Sequence, residues 1–337
     1  MYIAFEEAKA VLTDILSKYG FSGSDAALLA DVFARNTLEG VASHGINRFP
    51  KFMSNVKNGQ VKPGEKAETV SAFGGLEVWD GRLAAGPLTA TAATERACAL
   101  AEAHGIGCVA VGNGNHWMRP GRYGFQMVER GMIGLLWTNT CRNMHAWGAK
   151  DAHLGNNPFV LAIPRDNGPV VVDMSMGQIA YGKLELAKLE GKRLPMPGGY
   201  DKEGNLTDDP GAILESFRIL PMGYWKGSSM ALALDMIAAG LSMGRTTEAI
   251  GLPAGGEWGL SQVFIAIHYQ AVADRAKAQE RFDQAVDALL QSQPQDETKP
   301  MRYPGQNIKR ITAENRAKGL YVHEDTWSKV LSFKEGV

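Results

Sequence analysis

Apolar residues near the start of the chain recur at steps of three and four, the spacing of one buried face of a helix. This pattern predicts a first helix over residues 5–19. A second helix is expected between an N-cap at Ser24 and a stop at Gly40, and a third over residues 49–58. The short Gly-containing segment at residues 41–45 is predicted to be a loop. The chain therefore begins with a helical region.

From residue 70 onward, short apolar runs of strand type alternate with helical stretches. Strands are predicted at residues 108–111, 132–138, 159–163 and 170–173. Helices are predicted at residues 88–103, 183–190, 230–241 and 267–290. The Pro- and Gly-rich passage at 194–210 is expected to be a surface excursion, and 291–300 a linker. Such alternation favours an α/β fold with a mixed or parallel sheet.

Charge and composition narrow the class of protein further. The 337 residues include 35 Lys+Arg and 36 Asp+Glu, without a long block of one sign, so no nucleic-acid partner is expected. The three cysteines lack C-x-x-C spacing, which fits a reducing compartment rather than a disulfide framework. No apolar stretch approaches the roughly 18 residues of a membrane span, and no secretory signal pattern is present. We therefore expect a cytoplasmic protein without a membrane partner.

The sequence contains no standard dinucleotide-binding fingerprint. The nearest match to G-x-G-x-x-G, at residues 105–110, follows a predicted helix and leads into a strand, the reverse of the Rossmann order. It is interpreted as a helix end and a turn. Gly112-Asn-Gly114 does follow a strand, but Trp117 occupies the place of the third glycine. Histidines at zinc-ligand spacing are also lacking, so no metal site is expected.

Two histidines stand in positions that suit chemistry. His44 lies in a tight loop four residues before Arg48, a spacing that suits a guanidinium holding a carboxylate beside an imidazole that delivers a proton. A hydrogen-bonding device at a helix entry is the alternative. His116 directly follows a predicted strand in a Gly- and Asn-rich segment, where α/β proteins place their sites. Its alternative is a strand-end turn.

Charged side chains suggest a function for two further segments. Trp225 and Lys226 occupy a Gly-flanked turn before an apolar helix, which suits a phosphate or ribose contact with a stacked ring, or else an aromatic interface. Asp173 ends an apolar strand, where a carboxylate orients a histidine, binds a ribose hydroxyl or caps the following turn.

These segments together resemble the malate/L-lactate dehydrogenase family, which stands apart from the Rossmann-type enzymes. The resemblance rests on S-H-G-I-N-R-F-P (43–50), N-H-W-M-R (115–119), W-T-N-T (137–140), G-N-N-P (155–158), V-D-M-S (172–175), L-P-M-G-Y-W-K-G (220–227) and R-Y-P-G-Q (302–306). It implies an NAD(P)-dependent reductase of a 2-oxo acid, here a sugar acid, with a mixed-sheet non-Rossmann cofactor domain, and a homodimer. Relatives acting on malate, lactate, ureidoglycolate or a cyclic imino acid are the alternatives, followed by a metabolite-binding protein without chemistry.

The resemblance also implies residue roles. His44 and His116 compete as the proton donor, with His44 favoured, and Arg48 holds the substrate carboxylate. The cofactor is NADH, with NADPH as the alternative. Its expected contacts are Val170, Val171, Val172, Asp173, Met174, Ser175, Trp225, Lys226, Gly305, Gln306 and Asn307, with Thr140 a weaker candidate. We further expect the chain ends, residues 1–69 and 267–337, to form one discontinuous helical domain around an α/β domain at 70–266.

Overall fold

The computed structural model describes residues 1–251 and 256–335. The strands are β1 (Tyr2–Ile3), β2 (Glu68–Phe73), β3 (Leu76–Asp80), β4 (Ile106–Gly114), β5 (Ile133–Thr138), β6 (Met144–His145), β7 (Ala152–Leu154), β8 (Phe159–Ile163), β9 (Val170–Met174), β10 (Gly199–Tyr200), β11 (Leu206–Thr207), β12 (Leu260–Ile267) and β13 (Leu320–Tyr321). The helices are α1 (Phe5–Lys18), α2 (Gly23–Leu38), α3 (Phe49–Lys57), α4 (Gly86–His104), α5 (Gly121–Glu129), α6 (Tyr181–Leu189), α7 (Pro210–Ser216), α8 (Trp225–Ser242), α9 (Thr247–Ile250), α10 (Arg275–Leu290), α11 (Ile308–Lys318) and α12 (Glu324–Glu335).

The largest sheet among the described residues has seven strands in the order β2-β3-β4-β12-β5-β8-β9. Strands β3 and β4 are parallel, and the other neighbours are antiparallel. The expected α/β fold with a mixed sheet is therefore confirmed. Strand β9 lies at one edge of this sheet, so only one of its two sides pairs with a neighbouring strand of the sheet.

The central strand β12 corrects the sequence prediction. A helix was expected over residues 267–290, but Ile267 ends β12, and α10 begins only at Arg275, after an N-cap in which Asp274 Oδ1 accepts from Lys277 N at 2.9 Å. Strand β12 is largely buried because it lies between β4 and β5 and its side chains enter cores on both faces of the sheet, Phe264 and Ala266 on one face and Val263 on the other. In an apolar run of this kind the hydrophobic residues do not alternate with polar ones at regular steps. The sequence therefore does not distinguish a buried strand from a helix.

Smaller differences concern helix starts and loops. The N-cap of α2 is Ser22, whose hydroxyl accepts from Asp25 N at 3.3 Å, rather than the expected Ser24. The expected loop at 41–45 contains a 3₁₀ turn, Ala42–His44, and a second turn, Ile46–Arg48, follows it. The excursion at 194–210 carries the small hairpin β10–β11.

Two hydrophobic cores support the region around His116. One joins α1, α2 and α3 to α12, with the rings of Phe33 and Phe49 5.1 Å apart. The other lies against the sheet and holds Trp117, whose ring is 5.5 Å from that of Phe264. Burying large aromatic rings stabilises each core by about 2–3 kcal/mol per side chain. Trp117, the residue next to His116, is therefore held in the protein interior.

Both chain ends contribute to the first of these cores. In contrast, α10 contacts the loop after β8, where Arg165 Nε lies 2.5 Å from Asp283 Oδ1 and Gln279 Nε2 donates to Pro164 O at 2.7 Å. The division into two domains stays a prediction. No helix in the described part of the chain is long and apolar enough to cross a bilayer.

Candidate active site

The loop carrying His44 is held by α2. Asn36 Nδ2 donates to His44 O at 2.9 Å, and Ile46 N donates to Thr37 Oγ1 at 2.8 Å. Gly45 is required between these contacts, because a Cβ there would lie 2.1 Å from Thr37 Oγ1. The two consecutive 3₁₀ turns then place Arg48 at the N-terminal end of α3.

The segment carrying His116 leaves the end of β4 in an unusual backbone conformation. Met118 has a φ of 66°, which non-glycine residues rarely adopt. Asn115 holds the segment in place, because its Nδ2 donates to the carbonyl oxygens of Gln60, Leu83 and Ala84, each at 3.0 Å. Strained backbone of this kind persists only where surrounding contacts enforce it.

These two segments bring His44 and His116 together. Their rings stack with centroids 5.6 Å apart and planes 14° from parallel. Burial, then the charges of Arg48 and Arg119, lower the pKa of His44 to about 4. Burial, then Arg48 and His44, lower the pKa of His116 well below its ordinary value. Both rings are thus neutral at pH 7 when no anion is bound.

The hydrogen bonds of the two rings differ. Met118 N donates to His116 Nδ1 at 3.1 Å, so the neutral ring of His116 carries its proton on Nε2. That Nε2 lies 4.0 Å from Glu257 Oε1. His44 Nδ1 lies 3.0 Å from Ser43 Oγ, a hydroxyl that donates or accepts. A second proton on His116 would break its bond to the backbone, whereas His44 accepts one without such a loss.

A pocket opens beside this pair. Its lining residues are Arg48, Lys51, Phe52, Asn55, Val61, Asn115, His116, Met118 and Glu257. The Arg48 guanidinium has no hydrogen-bond or ion-pair partner within residues 1–251 and 256–335. An unpaired guanidinium beside two neutral imidazoles suits the binding of a small carboxylate.

Strand β9 and the segment before α11 lie side by side. Val171 N donates to Pro304 O at 3.1 Å, and the next residue, Gly305, has a φ of 91°. A Cβ on Gly305 would lie 3.3 Å from Val171 N. The structure therefore brings the 170–175 stretch together with Gly305. Gln306 Oε1 accepts from Tyr303 N, and Asn307 is the N-cap residue of α11.

Asp173 makes a different contact from the three weighed from the sequence. Its Oδ2 accepts from Gly121 N, the first residue of α5, at 2.8 Å and lies 3.9 Å from Arg119 Nε. Arg119 also pairs with Glu39 at the end of α2. Burial raises the pKa of Asp173. The carboxylate thus links β9 to the segment that carries His116.

Trp225 and Lys226 lie exposed at the start of α8. The turn before them packs against the residue after Ser175, because Met222 N donates to Met176 O at 2.8 Å. On the other side, Met176 N donates to Asn156 O at 2.7 Å, and Thr140 Oγ1 lies 3.2 Å from Asn156 Oδ1. A continuous series of contacts thus joins Thr140, the 170–175 stretch and α8.

Sequence reasoning missed several residues of the pocket. Lys51 and Asn55 follow Arg48 at helical spacing, and that spacing on α3 would have identified them. Glu257 gives no such signal, because it reaches His116 from a distant segment. Its Oε2 accepts from Cys141 N at 3.2 Å.

Comparisons with known proteins point to a single family. A family model described as malate/L-lactate dehydrogenase matches residues 3–331. The chain is 43% identical over 331 residues to a 2,3-diketo-L-gulonate reductase of Escherichia coli O17:K52:H18 (strain UMN026), covering 98% of this chain and 99% of the relative. The reductase of the same name from Klebsiella pneumoniae (strain 342) matches with the same identity and coverage. The solved structure of a sulfolactate dehydrogenase from Methanocaldococcus jannaschii is similar with a TM-score of 0.90 at 30% identity, covering 99% of this chain and 97% of that chain.

Proposed function

The chain belongs to the malate/L-lactate dehydrogenase family, and we propose that it reduces a 2-oxo sugar acid with NADH, converting 2,3-diketo-L-gulonate to 3-keto-L-gulonate. It is an oxidoreductase of the 2-oxo acid class. The identity of 43% to reductases of that name supports the choice of substrate. The observation that carries the proposal is the unpaired guanidinium of Arg48 beside the stacked histidines.

Arg48 binds the substrate carboxylate in this proposal. A guanidinium offers two parallel N–H donors to a carboxylate, which fixes both the position and the orientation of the acid. Because Arg48 lines the same pocket as His116, the 2-oxo group next to the carboxylate comes to lie near the imidazoles. Holding the reacting groups in this geometry contributes much of the rate acceleration.

His44 donates the proton. The positive field of Arg48 contributes to the low pKa of His44, so a bound carboxylate that neutralises this field raises the pKa and favours proton uptake. Ser43 Oγ is able to accept from the protonated ring. His116 stays neutral because Met118 N occupies its Nδ1, and it presents Nε2–H on the side of Glu257.

A nicotinamide cofactor supplies the hydride when it is bound. The residues that suit it are the edge-strand stretch 170–175, Gly305 with Gln306 and Asn307, Trp225 with Lys226, and Thr140. Gly227 fixes the turn that presents Trp225 and Lys226, because a Cβ there would lie 2.6 Å from Met222 O and would distort the turn at the start of α8. The exposed Lys226 and the adjacent helix N-terminus favour phosphate, and the exposed Trp225 ring favours stacking.

The partner proposed for this chain is a second copy of itself. Helix α8 exposes an apolar face that includes Met230, Leu232, Met236 and Ile237, and Met243 follows at its C-terminal end. Met236 is 62% exposed and Met243 is 85% exposed. Contiguous apolar surface of this kind marks an interface, and a two-fold axis lets one face cover its own copy. We propose that this face of α8 forms the homodimer interface.

A cytoplasmic location goes with this function. The three cysteines, Cys98, Cys108 and Cys141, are unpaired thiols, and burial raises the pKa of Cys98 and of Cys108 to about 11. Such thiols persist in a reducing compartment.

The test is a panel of NADH and NADPH oxidation assays with 2,3-diketo-L-gulonate, oxaloacetate, pyruvate and a cyclic imino acid. We expect the highest kcat/KM for NADH with the diketo acid. A higher value for any other acid would reassign the substrate. Tight NADH binding without oxidation by any acid would favour a metabolite-binding protein. The Arg48→Met variant is expected to raise KM about a hundredfold or more, because it removes a charge-assisted bidentate contact.

A further inference from the structure

We infer that the pocket beside Arg48 contains a subsite for substrate hydroxyl groups, formed by Asn55 and Asn115 with Lys51 at its rim. The inference rests on the proposed function and names the side chains that would select a polyhydroxylated acid over a short one. It depends on two buried oxygen atoms for which residues 1–251 and 256–335 supply no hydrogen-bond donor.

The first of these atoms is Asn115 Oδ1. The side-chain nitrogen of Asn115 donates to three carbonyl oxygens, those of Gln60, Leu83 and Ala84. These partners determine which end of the amide is the nitrogen, so the other end is an acceptor. That oxygen is buried and has no partner among the described residues, and the residue is 2% exposed.

The second atom is Asn55 Oδ1. Asn55 is 9% exposed, and its side-chain oxygen is also buried without a partner in the described part of the chain. Asn55 lies two helical turns after Arg48, and Lys51 lies between them, one turn from Arg48 and one turn from Asn55. The three side chains therefore share one face of α3. All three line the pocket that also contains Asn115 and His116.

The chemistry of these groups defines the ligand. A buried acceptor without a donor is destabilising, and a ligand that supplies a donor relieves that cost on binding. Carboxylate and ketone oxygens carry no proton to donate, and the cations Arg48 and Lys51 oppose an ammonium group. Hydroxyl groups remain as the neutral donors. A carboxylate for Arg48 together with hydroxyls for two amide oxygens describes a polyhydroxy acid.

The experiment compares the wild type with Asn55→Leu, which keeps a similar shape and removes the acceptor. The measured quantity is the ratio of kcat/KM for 2,3-diketo-L-gulonate to kcat/KM for pyruvate. We expect this ratio to fall about 5- to 10-fold, the effect of one neutral hydrogen bond. Asn58→Leu is the matched control, because Asn58 is exposed at the end of the same helix and outside the pocket lining. Its ratio should equal that of the wild type.

An unchanged ratio in Asn55→Leu would overturn the subsite. The melting temperature of the variant is expected to equal or exceed that of the wild type, because an unpartnered acceptor is removed. Should the variant not fold, Asn55→Ser is expected to lower the ratio in the same way, and an unchanged ratio there also overturns the inference.

Failure of the proposed function is recognised separately, by a wild type that oxidises NADH with neither acid. In that case the subsite is tested by ligand-induced thermal stabilisation with D-gluconate and with lactate. We expect gluconate to stabilise the wild type more than lactate does, and Asn55→Leu to lose this difference. Equal stabilisation of the wild type by the two acids would contradict the subsite.

Discussion

The imidazole rings of His44 and His116 stack at a centroid distance of 5.6 Å, with their planes 14° from parallel. At this distance a proton on one ring disfavours a proton on the other, so the two rings titrate as a pair. The backbone N–H of Met118 at His116 Nδ1 breaks the symmetry of the pair, because it leaves that ring with Nε2–H alone. The stack therefore consists of one ring held neutral and one that is able to receive the proton.

Replacing His44 tests this asymmetry. We expect His44→Ala to lower kcat by about 10²- to 10⁴-fold, the usual contribution of a general acid, with NADH affinity within about twofold of the wild type. Stopped-flow turnover and NADH titration measure the two quantities. His104→Ala, at the exposed end of α4, is the control and should turn over normally. Unchanged turnover in His44→Ala would transfer the role of proton donor to His116.

The loop before Arg48 depends on Gly45. We expect Gly45→Ala to lower the free energy of unfolding by about 2 kcal/mol or more and to reduce activity, because the added methyl group collides with Thr37 Oγ1. Urea denaturation measures the change. Gly23→Ala in α2 is the matched control, since nothing lies within 4 Å of a Cβ there, and it should be neutral or stabilising. Equal stability of the two variants contradicts the prediction.

His145 makes stability depend on pH. It is fully buried, neither ring nitrogen has a partner in the described residues, and burial together with Arg218 lowers its pKa from 6.5 to about 4. Between these values His145 binds a proton in the unfolded chain but not in the folded chain, so its contribution to stability is complete above pH 6.5 and declines toward pH 4. We expect His145 alone to lower the melting temperature by about 3 °C between pH 7.5 and 5.

His145→Phe separates this effect from other titrations, because phenylalanine keeps an aromatic ring near Tyr200 and cannot bind a proton. Its melting temperature should fall less over the same pH interval. His104→Phe, a change at an exposed histidine, should follow the wild type. If His145→Phe shows the full wild-type decline, His145 is not the source of the pH dependence.

Trp225 is expected to contribute to NADH binding. It is 61% exposed, so Trp225→Ala removes a ring without opening a cavity in the core. We expect the Kd for NADH to rise about tenfold through the loss of stacking, with the melting temperature unchanged. Isothermal titration provides the Kd. Phe73→Ala, at an exposed aromatic residue on β2, should bind NADH normally. Normal binding by Trp225→Ala would place the cofactor elsewhere.

The apolar face of α8 is expected to hold a homodimer together. Met236→Asp places a charge on this face, which burial in an interface would penalise, so the variant should be monomeric. Size-exclusion chromatography with light scattering gives the mass. Gln284→Asp changes an exposed polar position on α10 and should keep the mass of the wild type. A monomeric wild type, or a dimeric Met236→Asp, would contradict the interface.

The sequence predicted local features well. The sequence predicted the ends of α1 and α3 to within one residue, and an apolar run predicted β8 at its observed bounds. The same reasoning failed at β12, where the strand was not recognised and part of it was assigned to a helix. A strand buried on both sides lacks the alternation that identifies strands in sequence.

The sequence by itself determined the helix faces, four strands of the large sheet, the family and the adjacency of His44 and Arg48, because these depend on residues close together in the chain. Tertiary structure decided the stacking of His44 on His116, the tautomer of His116 and the approach of Glu257. It also decided that the side-chain oxygens of Asn55 and Asn115, two residues that line the pocket, find no donor in the described part of the chain. Periodicity encodes which face of a segment is buried, whereas the partner that buries it is chosen by packing between distant segments.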